Sequence, residues 1–86
     1  MRNTMTPNTE EQIVWTGDLD DDCTALWAGL MLRAEWMEGS NWWWAVSEIS
    51  TGREIASSNE DQRKCTSGAA ARAFAESAAR AHLRKS

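Results

Sequence analysis

Glu38-Gly39-Ser40-Asn41-Trp42-Trp43-Trp44-Ala45-Val46-Ser47-Glu48-Ile49-Ser50 is the stretch whose reading decides the fold of this chain. A turn-like tetrapeptide leads into three consecutive tryptophans, followed by a strand with valine and isoleucine. Successive side chains of a strand point to opposite faces, so Trp42, Trp43 and Trp44 load both sides of a sheet with indole rings. A chain of 86 residues buries one side of a sheet well. Some of the indole surface is therefore predicted to serve contact with something else.

Working outward, Thr24 to Met37 alternates in hydropathy, with Leu26, Ala28, Leu30, Leu32, Ala34 and Trp36 on one apolar face, and reads as one long strand. Trp42 to Ser50 is a second strand, and Arg53 to Ser57 a third. Ser50-Thr51-Gly52 joins these two as a turn ending in a left-handed residue, a conformation that glycine adopts without steric cost. With Glu38 to Asn41 as a four-residue loop, Met37 faces Trp42, Trp36 faces Trp43, Ala34 faces Ala45 and Leu30 faces Ile49. The second hairpin then sets Ser47 against Ile55. This register places Leu30, Leu32, Ala34, Trp36, Trp43, Ala45, Ile49 and Ile55 on a core face. The opposite, amphipathic face receives Met31, Arg33, Glu35, Trp42, Trp44, Val46, Glu48 and Glu54. A slip of one residue would mix charges into the core face, which favours this register.

Ser58 to Lys64 is a polar loop, and the alanine-rich run from Ser67 to Leu83 is a helix with Thr66 or Ser67 as its cap. Ala70, Phe74, Ala78 and Ala81 form the stripe expected to meet the sheet, and Arg72, Glu76 and Arg80 a ladder opposite it. Ile13 to Thr16 reads as a short strand, ending in the acidic loop Gly17 to Asp22. Residues 1–11 are polar and aperiodic, so they are expected to be a flexible arm. The fold class is α+β: residues 12–86 form a single β-β-β-α domain, a three- or four-stranded antiparallel meander with one C-terminal helix on one face.

Size and composition agree with one small globular domain. A chain of this length buries about 60–65% of its unfolded surface, and its apolar share of 42% is ordinary. The net charge of −4 is unevenly spread. Residues 10–61 carry 12 acids against Arg33 and Arg53, whereas residues 62–86 carry six bases against Glu76. No apolar run reaches the roughly 18 residues a membrane span needs, and the start lacks the apolar core of a signal peptide. The chain therefore reads as cytoplasmic, with no membrane association. Cys23 and Cys65 are too few for a disulfide framework or a zinc site.

Constellations with chemical meaning are few. Asp18, Asp20 and Asp22 begin like a calcium loop, but Cys23 stands where that loop needs glycine and Gly29 where it needs glutamate. Cys65 precedes the helix and the sole histidine, His82, lies 17 residues further on, roughly 25 Å at helical rise, so the two do not form a nucleophile and base. No metal, cofactor or catalytic residue is predicted, and the chain is not expected to be an enzyme. Trp42, Trp44, Met31, Arg33 and Val46 form the predicted binding face, since tryptophan and arginine are enriched among residues that carry interface energy.

The strand-strand-strand-helix order over residues 24–84 resembles in layout the latter part of a double-stranded RNA-binding domain. That family begins with a helix and sets several lysines at the start of its last helix, where this chain has Arg63 and Lys64. The acidic sheet region argues against a phosphate backbone. The function expected from the sequence is an accessory or regulatory protein that binds another protein through its Trp-rich sheet face. The alternatives are a homodimer through the same face and a nucleic-acid binder through the basic C-terminal helix.

Overall fold

The computed structural model describes residues 11–59 and 64–85. It contains strands β1 (Thr16–Asp18), β2 (Asp22–Trp27), β3 (Leu30–Glu38), β4 (Asn41–Glu48) and β5 (Glu54–Ser57), and helix α1 (Gly68–Lys85). The strands form one antiparallel sheet in chain order, and α1 packs across one face. The α+β class is as expected, with five strands in place of three or four. Of the expected arm only Glu11 lies within the described residues, and positions 60–63 of the polar loop also fall outside them.

The additional strands arise because the long run from Thr24 to Met37 is itself a hairpin. It folds at Ala28-Gly29, whose φ angles of 53° and 81° are those of a tight turn between right-twisted strands. Trp27 pairs with Leu30 across it, and Ala25 with Leu32. A two-residue turn inverts the side-chain parity, so Cys23, Ala25 and Trp27 share a face with Leu30, Leu32 and Ala34. Leu26, expected on that face, is 64% exposed on the other. Ala28 holds a left-handed conformation that costs an L-residue about 1–2 kcal/mol. Ala28→Gly is therefore expected to stabilise the protein by about 0.5–1 kcal/mol after the entropy of glycine is counted, read from the denaturation midpoint.

The register of the central hairpin also differs from expectation, by one residue. Gly39-Ser40 is a two-residue turn with Glu38 opposite Asn41, and Met37 bulges out of β3 so that Trp36 faces Trp42 and Ala34 faces Trp44. The shift carries every side chain of β4 to the other face. Trp42, Trp44 and Val46 lie under the helix, whereas Trp43, Ala45 and Ser47 lie on the open side. The second hairpin keeps the expected register where Val46 faces Ala56 and Ala45 faces Ser57. Near the turn Ile55 bulges, Ser47 faces Glu54, and Glu48 rather than Ile49 bonds to Arg53. Gly52 is left-handed as expected, with φ 74°.

The core forms between this rearranged face and α1. Ser67 caps the helix through its Oγ, which accepts from the Ala70 N–H at 3.1 Å. Ala71, Ala75 and Ala79 are fully buried and form the centre of the contact, one residue on from the expected stripe. Ala70, Phe74 and Ala78 flank it on one side. On the other side are Arg72, which donates to the Leu19 carbonyl at 2.9 Å, and Glu76, which accepts from the Trp15 indole at 2.9 Å. The ladder expected to face solvent thus ties the helix to the β1 end of the sheet. Small alanines let the helix backbone come close to Trp27, Trp42 and Trp44, which supply the bulk. At Gly68 a Cβ would lie 2.9 Å from the ring of Trp42, so the start of α1 needs a residue with no side chain.

Candidate functional surface

The face of the sheet away from α1 is the candidate site, and the strand register builds it in rows. Asp18, Asp22, Glu35 and Trp43 stand opposite one another on β1 to β4. The next row is Thr16, Thr24, Arg33, Ala45 and Ser57, and the third is Leu26, Met31 and Ser47. Among the described residues no element covers this face.

Trp43 is half-buried in the sheet surface and fixed by its neighbour. The Arg33 guanidinium lies 5.4 Å from the centre of its ring, and the same guanidinium pairs with Glu35 at 3.3 Å. The cation is thus held against the ring face by a carboxylate on the next residue but one of its own strand. Ala45 is shielded to 7% exposure, whereas Leu26 projects freely. The result is an apolar strip of Leu26, Met31 and Trp43 around a clamped arginine. Along one end, Asp18, Asp22 and Glu35 set three carboxylates on adjacent strands; Glu35 is paired with Arg33, and the directly opposed Asp18 and Asp22 are the like-charge pair that costs stability.

Met31 and Arg33 therefore lie on the open face, as the sequence suggested. Trp42, Trp44 and Val46 do not: Trp44 is 2% exposed and Val46 fully buried, and their expected place is taken by Trp43, Ala45 and Ser47. The correction follows from the Met37 bulge and the two-residue turn. Leu26 and Trp43 are residues of this face that sequence reasoning assigned to the core; Trp36 and Ile49, also assigned to the core, are likewise exposed, at 42% and 50%. For Leu26 the available signal was Gly29, which marks a turn inside an apparently continuous strand.

Elsewhere the polar chemistry is spent on structure. Trp15 and Trp27 donate their indole N–H groups to Glu76 and to the Glu11 carbonyl, the latter at 2.8 Å. Cys23 donates to the Ala34 carbonyl at 3.7 Å, and both cysteines are buried thiols. Asp18 accepts from the Asp20 N–H at 2.9 Å and closes the β1–β2 turn. Among the described residues no group of three His, Cys, Asp or Glu converges on a space for a metal ion. No helix among them is long and apolar enough to cross a membrane. No family model matches the chain, and no curated protein or solved structure is significantly similar to it.

Proposed function

We propose that this is a small non-catalytic protein that binds another protein through the uncovered face of its sheet. What carries the reading is the strip of Leu26, Met31 and Trp43, an exposed leucine beside two half-buried apolar side chains on a face that no described element covers. The indole of Trp43 is already immobilised by Arg33, so contact with it orders little that is not ordered beforehand. The row of Asp18, Asp22 and Glu35 gives the partner its character: an apolar surface rimmed by lysine or arginine, which would relieve the like-charge crowding.

The test places a photo-crosslinking residue at Leu26 and, as control, at Ser77, which is exposed on the solvent side of α1. The expected result is a discrete protein adduct from position 26, none from 77, and loss of the adduct in Trp43→Ala. That variant is expected to melt close to wild type, since its ring lies on the outside of the sheet. An adduct of twice the chain mass, with a dimer by light scattering, would assign the face to a second copy of the chain instead. Equal crosslinking from both positions would remove the support for this face.

A further inference from the structure

A second feature lies on the opposite side of the molecule and is independent of the sheet face. Near the C-terminal end of α1, Trp27, Arg80, Leu83 and Arg84 line an open cleft of about 300 Å³. Trp27 forms its floor, 3% exposed and fixed by the bond from its Nε1 to the Glu11 carbonyl. The Arg80 guanidinium stacks 5.0 Å from the centre of the Trp27 ring. A stacked guanidinium uses its face for the ring and keeps its in-plane N–H groups available for an anion. Arg84 follows one helical turn later, on the same side.

What sets these two arginines apart, among the described residues, is the absence of any oxygen acceptor, carboxylate or carbonyl. The structure describes five arginines in all. Arg33 pairs with Glu35, Arg53 pairs with Glu48, and Arg72 donates to the Leu19 carbonyl. Neither Arg80 nor Arg84 has a carboxylate partner among the described residues, in a protein with an excess of acids. Glu76 stands four residues before Arg80, where a helical ion pair would form, but its Oε2 accepts from Trp15. The negative end of the helix dipole accounts for a cation in the last turn, but not for one stacked on a buried ring a turn earlier. Two full positive charges also outweigh the roughly half negative charge of that helix end for an incoming anion.

We propose that this cleft binds a small oxyanion carried on an apolar group: the two guanidiniums hold the charged oxygens, while Leu83, above the buried Trp27 ring, meets the apolar part. Its volume is at the lower limit of ligand pockets, about 300–1,000 Å³, which suits a single charged group with a ring-sized body and not a nucleotide or a larger cofactor. The shared chemistry is a phosphate or carboxylate, and the experiment separates the two.

The full chain, labelled with nitrogen-15, is titrated with phenyl phosphate, benzoate and inorganic phosphate, following the Trp27 indole and Arg80 Nε–H signals. Saturable shifts at both signals are expected with phenyl phosphate or benzoate, and whichever binds more tightly identifies the oxyanion. Arg80→Gln and Arg84→Gln, each with an otherwise unchanged spectrum, should weaken binding about tenfold or more, as loss of a charge-assisted hydrogen bond does. Inorganic phosphate binding as tightly as phenyl phosphate would overturn the apolar half of the proposal. No saturation by either ring compound at about 10 mM, beyond even a millimolar dissociation constant, would overturn it entirely, as would wild-type affinity in both variants.

Discussion

Trp44→Ala is expected to unfold the protein. Trp44 is 2% exposed between the sheet and α1, opposite Ala34 on β3 and 6.5 Å in centroid distance from Phe74 on the helix. Truncating a buried tryptophan costs about 3–5 kcal/mol through lost burial and the cavity left behind. That is a large share of the 5–15 kcal/mol that holds a typical domain together, and a domain of this size is at the low end. Circular dichroism of the variant at 25 °C should show lost cooperative melting. Trp44→Phe sharpens the test. Among the described residues the buried Trp44 Nε1–H has no acceptor, a defect of about 1–3 kcal/mol that phenylalanine removes while keeping an aromatic ring in place. Trp44→Phe should therefore fold and melt well above Trp44→Ala. Two variants equally unstable would show that the indole N–H has a partner after all, and a Trp44→Ala protein as stable as wild type would refute the register of β4.

Ala75→Leu carries the second large effect, through the opposite error of packing. Ala75 has no exposed surface and lies midway along the stripe of Ala71, Ala75 and Ala79 on which the helix meets the sheet. A leucine there must push α1 away from β3 and β4 or distort the tryptophans beneath it. The expected cost is about 3 kcal/mol, the upper end of the range for overpacked cores, because the site has no empty space to absorb three added carbons. For a domain of this length that lowers the melting temperature by roughly 12–24 °C. Ala73→Leu, on the exposed side of the same helix, provides the control and should leave the midpoint nearly unchanged. Equal shifts in both would mean that helix propensity, not the contact with the sheet, sets the response.

The two substitutions probe the parts of the fold that were hardest to read in advance. The helix was legible because alanine has the highest helix propensity and Ser67 offers an N-cap oxygen at its start. Its inward face was not legible. A helix in which alanine occupies nearly every side has a weak hydrophobic contrast, so a rotation of one residue leaves the pattern almost unchanged. Only contacts with the sheet distinguish Ala71, Ala75 and Ala79 from Ala70, Phe74 and Ala78. The same ambiguity affects Trp42 to Trp44, since three adjacent tryptophans offer an aromatic side chain to either face in any register. The candidate surface inherits that uncertainty: Met31 and Arg33 were placed correctly from β3, whereas Trp42, Trp44 and Val46 had to give way to Trp43.

Sequence alone determined that the chain is α+β, that an antiparallel meander precedes a C-terminal helix, and that the sheet carries more indole surface than one core face can absorb. These properties follow from local periodicity, propensity and turn residues, each of which acts over a few positions. Tertiary structure decided which face each tryptophan occupies, because that depends on two local events without a strong sequence signature. Ala28 takes a left-handed conformation normally left to glycine or asparagine, and Met37 adds one unpaired residue to β3. Each inverts the alternation beyond it, so the choice is settled by the fit of the whole sheet against the helix. A register that buries Trp42, Trp44 and Val46 against small alanines places the bulk of the core where the helix leaves room for it.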